Sequence, residues 1–477
     1  MIAFDAMTAT AGSSPISNPP VSAASRSTRE RLNATLRRKD EALSPRELRR
    51  MLQELRAIVD PQVSEIEGGR RGQAMALWYQ AAAAPQRHDL WLLMSEQFVA
   101  DAQKSSAAQA QFAAALGTPD EAAAEVRFRR ATVSPRRRLL QRFSALPEGI
   151  RFLVDLRADL LPHLRADKRL HALDVEMEYM FSTWFDVGFL ELRRISWDSP
   201  ASMIEKLIRY EAVHDIKSWA DVKNRLDSDR RCYGFFHPRL PDEPLIFVEV
   251  ALGDVMSGCI TPLLDESADA ADLGRATTAV FYSISNTQPG LRGVSFGDSL
   301  IKRVVETLKQ EFPKLKVFVT LSPIPGFRSW LGKHAAAMLE KLSVKERAAL
   351  GRAMGVPASQ PASQPLLAAQ LIAAAEGALE LTEKSPLRHW LLRCAAHYLG
   401  QAVADGKPLD AVARFHLGNG ARVERLNWAG DPSAKGLRQS YGLMVNYLYD
   451  LKRLDKHRGM LAHGKIPVSG SIEDLYI

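Results

Sequence analysis

Few of the features that mark special classes of protein occur in this sequence. Its three cysteines, Cys232, Cys259 and Cys394, form no C-x-x-C pair, which predicts neither a disulfide framework nor a zinc site. No uninterrupted apolar run is long enough to span a bilayer. No Arg or Lys precedes Arg26, so the basic cluster that opens a secretory signal is missing. We therefore expect a protein of the cytoplasm with no membrane partner.

Charge is slightly unbalanced towards the positive. The 477 residues include 63 Lys and Arg against 55 Asp and Glu, and 46% of the residues are apolar. This length is enough for two or three domains with a large core. The positive excess favours anionic partners such as nucleic acid, phosphorylated cofactors or acidic metabolites. No recognised DNA- or RNA-binding motif occurs, so we expect no nucleic-acid partner.

The first part of the chain has the pattern of a leader followed by helices. Ser, Ala, Thr and Pro without apolar periodicity predict a disordered leader over 1–40. Over 41–183 the pattern is helical, and it predicts several antiparallel helices with little strand. Ser44, Pro45 and Glu47 form a capping box with proline at the first helical position. The apolar stripe that follows consists of Leu48, Met51, Leu52, Leu55, Ile58 and Val59.

From residue 184 onward, segments with the composition of β-strands appear. "RCYGFFHP" and "LIFVEVAL" predict a hairpin around the turn-like "RLPDEP". Further strands are predicted at "AVFYSIS", "KVFVTLS", "RVERLNWAG" and "SYGLMVNYLYD". A mostly helical insertion is expected near 333–403, and "PLDAVARFHLGNGA" predicts a helix from Pro408 to Gly418 or Gly420. The whole chain is therefore expected to be α+β, with a helical bundle followed by a mixed-sheet domain.

A glycine-containing loop lies between a predicted strand and a predicted helix, in "SISNTQPGLRGVSFGDSLIKRV". Backbone N–H groups in such a loop, together with the positive end of the helix, suit a pyrophosphate. Gly290, Gly293 and Gly297 permit close approach of the backbone to a ligand. The alternative is a plain turn, which such loops form more often when no further motif supports them.

The order strand, loop, helix, strand on an otherwise antiparallel sheet is the core of acetyltransferase-type (GNAT) domains. In those domains a loop of the form Arg/Gln-x-x-Gly-x-Gly/Ala covers the pyrophosphate of coenzyme A. Here "RGVSFG" is similar to that loop at its first and last positions, Arg292 and Gly297. Ser295 stands where the first glycine of the motif is expected, which indicates a divergent branch.

Longer segments carry a more specific resemblance. They are "RRCYGFF", "AVFYSISNTQPGLRGVSFGDSLIKRVV", "TLSPIPGFRSWL", "ARFHLGNGARVERLNWAGD" and "GLMVNYLYDL". Together they strongly resemble the malonyl-CoA decarboxylase family over most of the chain after about residue 180. The resemblance implies a helical domain over 41–183 that forms a homo-oligomer, dimer or tetramer, and a GNAT-like catalytic domain over 184–477. The activity implied is that of a lyase of fatty acid metabolism, which converts malonyl-CoA to acetyl-CoA and CO2 with no metal or organic prosthetic group.

The resemblance also implies site residues. The catalytic serine of the family matches Ser322 in "LSPIPGF", and its catalytic histidine matches His416 in "FHLGNGA". The loop that contacts coenzyme A matches Arg292, Gly293, Val294, Ser295, Phe296, Gly297 and Asp298. Family members can have a glutamate in this loop where this chain has Ser295, so any role of that carboxylate is in question here.

The chemistry of decarboxylation is compatible with these residues. Pro323 and Pro325 restrict the backbone after Ser322, and Gly326 allows a turn, so the hydroxyl is held in place. We expect Ser322 to donate a hydrogen bond to the malonyl carboxylate or the nascent enolate and not to act as a nucleophile. Its spacing alone is also that of an ordinary turn serine. His416 falls in the last turn of its predicted helix, where the helix end stabilises an imidazolium, and we expect a general acid towards the α-carbon.

Three alternatives remain at the level of sequence. His214 in "EAVHDIKSW" is a weaker histidine candidate. An acetyl-CoA-dependent N-acyltransferase is compatible with the same fold, although no acceptor motif is evident. A non-catalytic coenzyme A sensor, whose helical region binds a partner, is a candidate of a different class.

Overall fold

In the computed structural model, the described residues are 26–294, 296, 300–356 and 363–476. The chain divides into two compact units between Met180 and Phe181. Within these described ranges, no helix is both long and apolar enough to cross a membrane.

The first unit is helical, as predicted. Its helices are α1 (Thr28–Asn33), α2 (Pro45–Val59), α3 (Glu65–Ala81), α4 (Ala84–Glu96), α5 (Ala102–Ala115), α6 (Glu121–Thr132), α7 (Pro135–Ser144), α8 (Gly149–Leu160) and α9 (His171–Trp184), the last of which ends beyond Met180. Short 3-10 turns occupy Leu161–His163 and Lys168–Leu170. The predicted capping box starts α2, since the N–H of Glu47 donates to Ser44 Oγ at 3.2 Å and the N–H of Ser44 donates to the Glu47 carboxylate at 2.7 Å.

Helix α1 lies inside the stretch 1–40 that the sequence predicts as a disordered leader. Ser27 and Glu30 form a second capping box at its start. The buried guanidinium of Arg31 donates to the Asp89 carboxylate at 2.7 Å, which ties this six-residue helix to α4. A helix this short has only marginal stability without tertiary contacts. The sequence did not predict it, because an ion pair between distant residues leaves no periodic pattern.

The second unit is built on a mixed sheet. Its strands are β1 (Glu191–Ile195), β2 (Arg230–His237), β3 (Leu240–Gly253), β4 (Thr278–Asn286), β5 (Val317–Thr320), β6 (Ser322–Pro323), β7 (Val403–Ala404), β8 (Lys407–Pro408), β9 (Arg422–Asn427) and β10 (Met444–Leu448). The main sheet has the order β1-β2-β3-β4-β5-β10-β6, with β9 paired to β10, and β7 and β8 form a separate two-stranded ladder. In the main sheet β4 and β5 are parallel, and the other neighbouring strands are antiparallel.

Helices cover and connect this sheet. They are α10 (Ala201–Tyr210), α11 (Trp219–Arg225), α12 (Leu300–Glu311), α13 (Phe327–Glu340), α14 (Val344–Ala353), α15 (Gln364–Ala374), α16 (Pro386–Gly400), α17 (Ala411–Gly418), α18 (Ala434–Ser440), α19 (Leu454–Ala462) and α20 (Gly470–Glu473), with 3-10 turns at Val187–Phe189, Thr261–Leu263, Pro289–Leu291 and Ala375–Glu380. Helices α13 to α16 occupy most of the stretch in which the sequence predicts a helical insertion. The unit is thus the mixed-sheet α+β domain expected from the sequence.

The predicted hairpin is β2 and β3, but its turn is shorter than the sequence suggests. His237 already pairs with Leu240, so "LPDEP" belongs to β3 and not to the turn. The register shifts twice near Phe236, which pairs with Pro244. Such irregularities let a strand accommodate prolines, which cannot donate to a regular ladder.

The unit β4–α12–β5 shows the predicted order of strand, loop, helix and strand. The parallel pairing runs from Thr278 opposite Val317 to Phe281 opposite Thr320. Just beyond it the N–H of Leu321 donates to the Phe281 carbonyl at 2.9 Å. There the two strands part, because β4 continues along β3 whereas β6 pairs with β10. The opening places Ser322 where two sheet neighbours diverge.

Helix α17 starts later than predicted. Pro408 belongs to the short strand β8, and the helix begins at Ala411. Asp410 is the N-cap, because its side chain accepts from the N–H groups of Val412 and Ala413. Asp is among the best N-cap residues, so the capping side chain and not the proline fixes the start of this helix. The predicted end at Gly418 is correct.

Candidate active site

The hydroxyl of Ser322 is held from one side by the neighbouring strand residue Thr320. Ser322 is 6% exposed, and its Oγ donates to Thr320 Oγ1 at 2.9 Å. Thr320 Oγ1 also accepts from the backbone N–H of Tyr447 at 3.1 Å. Pairing of Ser322 with Val445 of β10 fixes the backbone at the same point. The position of the serine is therefore set by its pairing with β10 and by its bond to Thr320.

His416 lies in the last turn of α17, and the fold brings it to Ser322 across 94 residues of sequence. Its Nε2 lies 3.2 Å from Ser322 Oγ. Its Nδ1 lies 2.7 Å from the hydroxyl of Tyr449. The imidazole also stacks on the ring of Tyr447, with centroids 4.6 Å apart and an angle of 26° between the planes. The imidazole is thus fixed through both nitrogens and one face.

The imidazole is neutral in this environment. Burial without a charged partner lowers the pKa of His416 to about 3. A helix C-terminus favours a charged histidine by at most about 2 kcal/mol, and burial acts in the opposite direction. Burial therefore favours the neutral ring in the free site.

The surrounding groups select one tautomer of this neutral ring. The Ser322 hydroxyl donates to Thr320 Oγ1, so its contact with His416 needs a hydrogen on Nε2. In that tautomer Nδ1 accepts from the Tyr449 hydroxyl, which keeps its proton because burial raises its pKa. The result is a continuous chain of hydrogen bonds from Tyr449 through His416 and Ser322 to Thr320.

Three contributors to this site were missed by the sequence analysis. Thr320 could have been found, because residues two apart on a strand share a face and Ser322 was already singled out. Tyr447 and Tyr449 also share a face, and they belong to a strand that was predicted. No spacing rule, however, connects that strand to a histidine more than 30 residues earlier.

The candidate coenzyme A loop is described in part. Arg292, Gly293, Val294 and Phe296 are placed, whereas Ser295, Gly297 and Asp298 lie outside the described residues. Gly293 has φ of +82°, in the left-handed region that favours glycine. The Val294 side chain is buried, and the Phe296 carbonyl accepts from the N–H of Val187 at 2.9 Å. The contact of this loop with a ligand stays a prediction.

The weaker candidate, His214, belongs to a different group of side chains. Its backbone N–H donates to the Glu211 carboxylate at 2.8 Å, and its carbonyl accepts from Arg225 at 2.9 Å. Burial lowers the pKa of its imidazole to about 4. Among the residues placed by the structure, no group of three or more His, Cys, Asp and Glu side chains is arranged to hold a metal ion.

The fold and site together define a class of protein. The second unit is a mixed-sheet α+β domain in which a parallel strand pair, joined by a loop and a helix, parts at the site. Two family models match the chain, namely the malonyl-CoA decarboxylase N-terminal domain over residues 98–185 and the malonyl-CoA decarboxylase C-terminal domain over residues 188–476. The chain belongs to the malonyl-CoA decarboxylase family.

Curated relatives and solved structures agree with this assignment. Mitochondrial malonyl-CoA decarboxylase of Rattus norvegicus is 40% identical over 348 residues, which cover 69% of this chain and 68% of the relative. The enzyme of the same name from Anser anser anser is 38% identical over 327 residues, 67% of this chain and 65% of the relative. The chain thus aligns with about two thirds of the length of these relatives.

Two crystal structures of bacterial malonyl-CoA decarboxylases are also similar. The protein from Rhodopseudomonas palustris has a TM-score of 0.76 and 39% identity, covering 90% of this chain and 99% of its own. The protein from Cupriavidus metallidurans has a TM-score of 0.72 and 43% identity, covering 90% of this chain and 100% of its own. Each alignment therefore includes almost the whole of the solved chain.

Proposed function

We propose that this chain is a carboxy-lyase that converts malonyl-CoA to acetyl-CoA and CO2. Membership of the malonyl-CoA decarboxylase family supports the reaction. The observation that carries the residue assignment is the 3.2 Å contact between Ser322 Oγ and His416 Nε2. Two residues from distant parts of the sequence, each singled out for its motif, meet at the point where β4 and β5 part.

The reaction breaks the bond between the α-carbon and the carboxylate of the malonyl group. The electron pair of that bond passes into the thioester as an enolate, CO2 leaves, and a proton is added to the α-carbon. Because the thioester carbonyl itself accepts the electron pair, the step needs no metal or organic prosthetic group. The polypeptide has to orient the substrate, stabilise the enolate and deliver the proton. The loop 292–298 is proposed to hold the diphosphate of coenzyme A.

Ser322 acts as a hydrogen-bond donor in this scheme. Its hydroxyl turns from Thr320 towards the malonyl carboxylate or the enolate oxygen, where the charge is to be stabilised. A role as nucleophile has little support, because the Ser322 hydroxyl donates to Thr320 Oγ1, so its hydrogen is not directed at a base. The strand pairing of Ser322 holds the donor in place before substrate arrives.

His416 is the proposed proton donor to the α-carbon. A malonyl carboxylate beside the ring adds a negative charge, which raises the pKa of the imidazole and favours its protonated form in the complex. Tyr449 keeps the ring oriented through Nδ1 at 2.7 Å. After the transfer His416 regains a proton from solvent. The acid is thus formed when substrate binds and not before.

Mass spectrometry of the products formed from malonyl-CoA by the purified protein tests this function. Acetyl-CoA and CO2 are expected in equal amounts with no amine present. An N-acyltransferase would instead need an amine acceptor and would leave malonyl-CoA unchanged in its absence. Tight binding of malonyl-CoA without turnover would favour a coenzyme A sensor.

We also propose that the protein forms a homo-oligomer through its helical domain, as a dimer or tetramer, and that it works in the cytoplasm. The three cysteines, Cys232, Cys259 and Cys394, are free, which suits a reducing compartment. Light scattering of the purified chain tests the first part, since a mass of one chain, 52.9 kDa, would exclude it. Fractionation of the source cells tests the second.

A further inference from the structure

Asp410 holds the helix that carries His416. The residue is 2% exposed and stands immediately before α17. Its Oδ1 accepts from the backbone N–H groups of Val412 and Ala413, both at 2.9 Å. These bonds satisfy two donors at the start of the helix, where no backbone acceptor is available.

The second oxygen of the same carboxylate faces the turn that follows Ser322. Oδ2 accepts from the hydroxyl of Tyr398 at 3.2 Å. Gly326, the last residue of that turn, packs directly on this pair: a Cβ built on it would lie 2.3 Å from the Tyr398 hydroxyl and 3.6 Å from Oδ2. Burial raises the pKa of Asp410, and the backbone of Gly326 is among the nearby groups that oppose this rise.

One buried carboxylate therefore touches both elements of the site. On one side it caps the helix of His416, and on the other it contacts the turn after Ser322. We propose that Asp410 is a positioning residue that sets the distance between Ser322 Oγ and His416 Nε2. The residue touches neither side chain, and it acts through the backbone of the two elements. The effect on turnover rests on the proposed function, whereas the effect on geometry does not.

Substitution by asparagine separates this role from simple capping. Asn caps a helix about as well as Asp, so Asp410→Asn keeps the cap through its remaining oxygen. The new NH2 group takes the place of Oδ2, so the Tyr398 hydroxyl can no longer donate to this position. Because that hydroxyl packs directly on Gly326, its change of direction disturbs the turn. The variant therefore loosens the turn while it preserves the helix.

The test compares kcat, KM for malonyl-CoA and thermal midpoint for the wild type and Asp410→Asn. A misplacement of about 1 Å can cost about 100-fold in rate, so we expect kcat to fall about 10- to 100-fold. KM should stay within about twofold, because the coenzyme A loop is a separate element. Asp101→Asn is the matched control, since Asp101 caps α5 through the N–H groups of Gln103 and Lys104 in the same pattern. It should leave kcat unchanged.

A crystal structure of Asp410→Asn gives a readout besides activity. We expect the distance from Ser322 Oγ to His416 Nε2 to exceed the 3.2 Å of the wild type. If the variant does not fold, Tyr398→Phe removes one donor and keeps the cap, and kcat should fall about 2- to 10-fold at constant KM. An unchanged kcat or an unchanged distance in Asp410→Asn, or an unchanged kcat in Tyr398→Phe, overturns the proposal. A wild type that releases no CO2 refutes the proposed function instead.

Discussion

Ser322→Ala removes a single oxygen from the site and so tests its proposed role quantitatively. The wild-type hydroxyl bonds Thr320 Oγ1 at 2.9 Å and lies 3.2 Å from His416 Nε2. Without it, the charge that develops on the substrate loses a donor. A hydrogen bond to a charged group contributes about 1.5–3 kcal/mol, which is about a 10- to 150-fold loss in rate. The fall should appear mainly in kcat, because the interaction strengthens as the enolate forms.

Release of labelled CO2 from malonyl-CoA carrying carbon-14 in its free carboxylate measures this loss. Ser267→Ala is a suitable control, since Ser267 is exposed and its hydroxyl bonds Asp265 at 2.7 Å. It should have wild-type rates. A kcat for Ser322→Ala within twofold of wild type would remove the serine from the mechanism. A loss well above about 10 000-fold would indicate a covalent role and refute the assignment as a hydrogen-bond donor.

Two further predictions concern the ring of His416. The pKa of His416 in the folded chain, about 3, lies below its ordinary value of about 6.5. As the pH falls below about 6.5, only the unfolded chain therefore takes up this proton. The free energy of unfolding should fall by about 1 kcal/mol per pH unit for this reason. Urea unfolding measures the free energy of unfolding at pH 7 and at pH 5. Its decrease between these two values should be smaller in His416→Gln than in wild type, and equal decreases would contradict a neutral, buried His416. Tyr449→Phe removes the partner of Nδ1 and should lower kcat about 2- to 12-fold with little change in KM. Steady-state kinetics measure this, and a wild-type kcat would show that the tyrosine does not position the ring.

The main elements of the fold could be predicted because each has a local cause. The capping box at Ser44 sets the start of α2, and the apolar residues of α12, such as Val304 and Leu308, are buried on one face of that helix. The start of α17 was placed too early because the prediction took Pro408 as the start of the helix, whereas Asp410 caps it. Proline favours the first turn of a helix, but here Pro408 pairs in the short strand β8 and Asp410 caps the helix.

Two residues of the candidate site, Ser322 and His416, were singled out because they stand in distinctive motifs. The structure brings them within 3.2 Å of each other, and their roles stay predictions. Their partners Tyr449 and Asp410 were missed, because strand tyrosines and helix-start aspartates are common and only the folded chain brings them to the site. The protonation state of His416 could not be predicted from the sequence either, because the burial that sets it depends on the complete tertiary structure.

A double-mutant cycle on Ser322 and His416 tests the central claim most directly, namely that the two side chains act on one acyl group as a unit. His416→Ala is expected to lower kcat by about 100- to 10 000-fold. If the pair acts together, adding Ser322→Ala to that variant should cost little more, as in other sites whose members cooperate. If the separate losses simply multiply in the double variant, the two residues act independently and the account is contradicted.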